Sequence, residues 1–113
     1  MEHLPLAASA ARTATGVDAG VNVPTYADFV AVHVLTTAVS GTTPSATFTV
    51  EWSVDGTTWS VADPADSFTA VTTAGNRVKL FTVKGHQVRL AWAVTGTTPS
   101  FTFSAVGLFT RGD

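Results

Sequence analysis

A chain of 113 residues has room for one domain and one core. Its 45% hydrophobic content and net charge of −2 exclude a disordered chain, and its six scattered basic residues speak against an electrostatic grip on nucleic acid. Without cysteine there are no disulfides, thiolate metal sites or cysteine nucleophiles, and with only 12% charged residues the polar quota falls to twenty threonines, a surface suited to packing against neighbours.

Residues 1–28 have no clean period, and Pro5 and Pro24 interrupt them. They read as an extended N-terminal arm, with a turn of helix at 7–11 or a short edge strand at 12–17, or equally as a segment that wraps its own domain. The opening MEHLPLAASAA carries Glu2 and lacks a basic leader, so it does not read as a signal peptide. No stretch approaches the roughly 18 apolar residues of a membrane span.

From Asp28 onward the period is two. Residues 29–35 (FVAVHVL) are apolar on both faces apart from His33 and read as a central strand. In 46–54, Ala46, Phe48, Val50, Trp52 and Val54 face one way and Thr47, Thr49, Glu51 and Ser53 the other, as in a half-buried antiparallel strand. Asp55-Gly56 predicts a two-residue hairpin turn. A strand at 57–61 then places Trp59 and Val61 in the core. Further strands are expected at 67–72, 78–83, 87–94 and 101–109. In 87–94, Val88, Leu90, Trp92 and Val94 point inward; in the last strand Phe101, Phe103, Ala105, Gly107 and Phe109 share a face.

The segment AVSGTTPSATFT at 38–49 returns as AVTGTTPSFTFS at 93–104, with nine of twelve positions identical at an offset of 55. Two equivalent hairpins follow from that repeat. Each GTTPS reads as a loop, with Gly41 and Gly96 allowing unusual φ and Pro44 and Pro99 stiffening the exit. Seven strands, eight with the arm, and turn signals every eight to twelve residues predict an all-β, antiparallel β-sandwich of jelly-roll type. The arm is 1–28 and the sandwich domain 29–113.

Candidate chemistry is thin. His3, His33 and His86 have no partners at metal-ligand spacing. His33, mid-strand, reads as facing a hydrogen-bond partner or an oligomer contact. Asp55, Asp63 and Asp66 read as turn formers. Glu51 has no paired acid, as a glycosidase would need. No nucleophile elbow, phosphate loop or dinucleotide glycine pattern occurs. The closing Arg111-Gly112-Asp113 matches an integrin-binding tripeptide, a match that three residues make by chance. The expectation is a non-enzyme with no catalytic residues, cofactor, metal or small-molecule substrate, binding neither nucleic acid nor membrane.

The runs AARTATG (10–16), TAVSGTTPSATFTVEWSVDGTTW (37–59), TTAG (72–75) and VRLAWAVTGTTPSFTFSAVG (88–107) together resemble small β-sandwich structural proteins of tailed bacteriophages and prophages. The resemblance implies a virion component assembled in the bacterial cytoplasm: a capsid decoration or minor capsid protein on the outside of the head. Its partners would be the major capsid lattice and its own copies, as a symmetric oligomer such as a trimer. Leu4, Leu6, Val17, Val21 and Val23 of the arm would supply the apolar contact to neighbouring coat subunits. A tail or head–tail connector subunit is the alternative. So is a glycan-binding module using Tyr26, Phe68 and Phe81.

Overall fold

The computed structural model describes residues 2–112, so Met1 and the Asp113 of the terminal tripeptide lie outside the described residues. The chain is all-β. Seven strands, β1 (Glu2–Arg12), β2 (Gly16–Val17), β3 (Val21–Asn22), β4 (Phe29–Ser53), β5 (Trp59–Val61), β6 (Gly75–Thr82) and β7 (Gln87–Thr110), form one open antiparallel sheet. Its axis is a ribbon of two very long strands, with β4 paired to β7 from Phe29↔Thr110 to Ser53↔Gln87. On the first half of this ribbon (residues 29–36 and 101–110), β6 flanks β4 and β1 flanks β7. On the second half (46–53 and 87–94), β5 flanks β4 while β2 and β3 flank β7.

A straight strand of this length would span about 80 Å at roughly 3.4 Å per residue, yet the longest dimension of the molecule is 43 Å. The ribbon therefore bends, and it does so at the repeated segment. Pairing runs through Ser40↔Ser100, Thr42↔Thr97 and Ser45↔Thr95, with a register shift on each side of Thr42. The two GTTPS copies are thus not loops of separate hairpins. They face each other inside one ribbon, related by a local two-fold axis beside the Thr42–Thr97 pair. The offset of 55 carries Ala38↔Thr102 onto Ala93↔Thr47 and Val39↔Phe101 onto Val94↔Ala46, all four of which are observed pairs. Gly41 and Gly96 have φ of 112° and 123°, and Thr43 and Thr98 have φ of 48° and 46°. Pro44 and Pro99 sit where the ladder is interrupted, the one place a central strand tolerates a missing donor.

The bend lays the inner faces of the two half-ribbons on one core. Val30, Val32, Val34, Phe101, Phe103 and Phe109 from the first half and Phe48, Val50, Val88 and Leu90 from the second are fully buried. Phe48 and Phe103, equivalent under the repeat, meet edge to face at 4.8 Å, and Trp92 meets Phe103 at 5.2 Å. The alternation read in 46–52, 88–92 and 101–109 is the observed inward set.

Other expectations are corrected. Val54 and Val61 are exposed (72% and 51%), and Trp59 is only half-buried. Phe68 and Phe81 take the core places instead. Residues 67–72 make only isolated bridges, Thr49↔Ser67 and Ala46↔Val71. Residues 7–11 are extended, not helical. The 1–28 segment is not an extended arm: β1, β2 and β3 all pair with β7, and Leu6 and Ala7 enter the core at 1% and 3% exposure. The strand is legible in hindsight. Leu4 and Leu6 are two apart, and Pro5 between them lies on an edge strand, where proline is tolerated.

Arg12 locks that strand over the core. Its guanidinium donates to the carbonyls of Ala8 (2.7 Å), Ala10 (2.9 Å) and Phe103 (2.6 Å) and lies 4.1 Å from the Phe103 ring centre and 4.9 Å from that of Trp92. Arg12→Met keeps the stem and removes the donors and the charge. It is expected to lower stability by about 2 kcal/mol in a urea titration, from charge-assisted bonds and cation–π attraction together.

The turn at 54–58 is longer than the two-residue hairpin that Asp55-Gly56 predicts, because Ser53 pairs with Trp59. Side chains build it. Ser53 Oγ accepts from the Gly56 N–H (2.7 Å), and Asp55 Oδ1 accepts from the N–H groups of Thr57 (2.9 Å) and Thr58 (2.7 Å). These backbone donors favour the charged carboxylate and hold Asp55 well below the usual carboxylate range. The folded value is depressed, so the stabilisation is complete above the unfolded carboxylate value and fades as pH falls towards the folded one. Asp55→Asn should melt below the wild type at neutral pH. The gap should narrow below about pH 4, as thermal scans across pH would register.

Candidate interaction surface

The two half-ribbons share a core but differ on their outer faces. On the second half, residues 47, 49 and 51 of β4 place Thr47, Thr49 and Glu51 outward beside Ala91 and Ala93 of β7. These five form the floor of a groove of about 430 Å³ whose walls include Gly16 and Val17 on one side and Val61 and Ala65 on the other. Its end is polar. Arg89 pairs with Glu51 (2.6 Å) and stacks 4.5 Å from the Trp59 ring centre. Both partners are largely covered, and each satisfies the other.

The outer face of the first half has no such polar dressing. β4 alternates strictly there, with Val30, Val32, Val34 and Thr36 inward and Ala31, His33 and Leu35 outward. The ladders extend those outward positions into rows. One row runs Val78–His33–Val106–Pro5, and the next runs Leu80–Ala31–Leu108–His3. Above them lies Asn76–Leu35–Ser104. Val78 and Leu80 are 57% and 60% exposed. None of these eleven residues is Asp, Glu, Lys or Arg. Arg77 and Lys79 of β6 point to the other side, where Arg77 donates to the carbonyls of Gly75 and Thr73 and Lys79 to that of Ser67 (2.7 Å). A sheet face this apolar ordinarily lies against something else, since large open apolar patches mark interaction sites.

The residues expected to carry partner contact are dispersed. Leu6 is consumed by the core, and Leu4, Val21 and Val23 pack partly against it. Only Val17 stands open (49%), at the rim of the groove. Among the aromatics considered for a glycan platform, Phe68 and Phe81 are buried and meet edge to face at 5.8 Å. Tyr26 packs against the core near Arg111. Asp66 is also structural: it accepts from the Trp52 indole (2.8 Å) and pairs with Lys84 (2.9 Å).

Sequence reasoning found His33 and the two-faced apolar run around it but missed Val78, Leu80, Val106 and Leu108. The signal was present. Val78 and Leu80 are spaced by two, as are Val106 and Leu108, and each pair is out of phase with the inward residues of its strand. Neither a family model nor a curated protein matches this sequence.

Proposed function

We propose that this chain is a structural protein of a tailed-phage virion, a capsid decoration or minor capsid protein that lies on the outside of the head and stabilises it through contacts with coat subunits and with its own copies. In this reading the folded ribbon serves as a sandwich-like scaffold, its two half-sheets acting as the layers of a jelly roll. The observation that carries the reading is the open, uncharged face around His33. A protein that works by surface contact has a use for a sheet apolar on both sides, and a free monomer has none. The low charge and the threonine-rich exterior support it further, as does the resemblance of residues 10–107 to phage structural proteins.

The test is location. Particles purified from cells carrying the encoding genome are expected to contain the chain in many copies, as measured by quantitative mass spectrometry. Electron microscopy with a labelled antibody should place it on the head surface. Absence from particles, or label confined to the tail, would overturn the proposal.

A further inference from the structure

We infer that the outer face of the first half-sheet is a self-association surface: it packs on the same face of a second copy around a two-fold axis, and His33 at its centre makes the contact release in acid. The inference rests on the structural-protein reading above and names one partner for it.

The first argument is area. Four strands at about 4.8 Å spacing and eight residues at roughly 3.4 Å give a face of about 500 Å² per copy. Two copies would bury about 1,000 Å² in total, the lower bound for a specific interface. That is enough for a reversible dimer and too little for an obligate one.

The second argument is charge. A two-fold contact sets each patch against itself, so a formal charge near its centre meets its own like. This face presents none, whereas the outer face of the second half carries Glu51 and Arg89. Shape points the same way. The rows form a sheet surface, and two such surfaces pack face to face at about 10 Å with interdigitating side chains. The protruding Val78 and Leu80 would fall between rows of the partner. A three-fold ring would instead need two different patches that fit each other, and the uncharged rows form a single patch.

The third argument is the histidine. His33 sits between Val78 of β6 and Val106 of β7, with Ala31 and Leu35 before and after it on the same face. The other titratable group on the face is His3 of β1, one row away and two strands across. Arg77 and Lys79 of β6 take the opposite side. Asp28 and Arg111 lie beyond the end of the face, past the Phe29–Thr110 pair. Glu2, next to His3, pairs with the inward-facing Phe109, so among the described residues no carboxylate shares these rows with His33. A charged ring pressed against apolar side chains without a partner is costly, so protonation opposes the contact. Association is expected to hold at neutral pH and to weaken in acid.

Sedimentation velocity over a micromolar concentration range tests this directly. At about pH 7.5 a reversible monomer–dimer equilibrium is expected, with the dissociation constant rising at least tenfold at about pH 5. Val78→Asp and Leu80→Asp should each give a monomer at neutral pH while circular dichroism and melting stay near wild type, because both side chains are already more than half exposed. His33→Leu should dimerise at both pH values. A monomeric wild type, a trimer, or dimers that survive both aspartates would overturn the inference. Acid release that persists in His33→Leu and vanishes in His3→Gln would overturn the assignment to His33. A monomer found on phage heads would sink this inference and leave the proposed function standing; a dimer absent from particles would do the reverse.

Discussion

Alanine at Gly41 is expected to cost about 3 kcal/mol of stability, and alanine at Gly96 the same amount. Two effects combine. Both glycines have φ well inside the left-handed region, which any Cβ makes unfavourable. Both also lie against the partner strand's backbone. A Cβ on Gly41 would come within 2.8 Å of the Thr98 carbonyl oxygen and 2.9 Å of Pro99 Cα. One on Gly96 would come within 2.9 Å of the Thr43 oxygen and 3.0 Å of Pro44 Cα. Backbone at the centre of a paired ribbon has nowhere to retreat. The loss corresponds to a fall of about 12 °C in Tm for a domain of this size, readable by calorimetry. Equality of the two losses is the sharper expectation, because the local two-fold gives the glycines mirrored surroundings. A loss at one position and none at the other would mean that the two copies of the repeat do not share an axis.

That axis shows where the sequence was legible and where it was not. Alternation reports which side chains point inward, and it placed Phe48, Trp92, Phe101 and Phe103 in the core without error. It says nothing about where a strand stops. Gly and Pro usually interrupt strands, so GTTPS read as a loop and one ribbon was divided into four strands. The decisive clue was the repeat itself. A segment that recurs at an offset of 55 can pair with its own copy across a two-fold axis, and Thr42 pairs with the residue 55 positions later. Only the topology reveals that the copies are partners and not parallel modules. The N-terminal segment failed for another reason. Its strand is Ala-rich and broken by irregularities between Pro5 and Ala7 and between Ala7 and Ala10, so no period survives for long enough to be read. Such bulges, with Pro5, also protect the exposed edge from unwanted pairing.

The interaction surface was half legible. His33 stood out because a polar ring among valines asks for a partner. Its neighbours did not, because a residue's outward phase on β6 matters only once β6 is known to flank β4. Two apolar faces on one strand normally mean burial on both sides within a domain. Here the inner side is covered by the other half of the ribbon and the outer side, among the described residues, by no other strand. In the proposed reading partner contact would fall on the sheet face that the N-terminal segment helps to complete through His3 and Pro5, while Leu6 and Ala7 of that segment are buried in the core.

Phe103→Ala is expected to be the most damaging single truncation, at about 4 kcal/mol. That is about a quarter to four-fifths of a stability of roughly 5–15 kcal/mol. The ring is fully buried, and it is where the two half-ribbons meet: Phe48 and Trp92 approach from the second half and Arg12 covers it from β1. Phe48→Ala should cost a similar amount, since Phe48 is its equivalent under the repeat. The double variant should lose about 1 kcal/mol less than the sum, the edge-to-face attraction being counted twice in the single changes. Chemical denaturation of the four proteins gives this coupling directly. Additive losses, or a Phe103 cost no larger than the roughly 2 kcal/mol of an ordinary valine truncation, would mean that the halves fold against separate cores and that the bend at GTTPS does not bring them together.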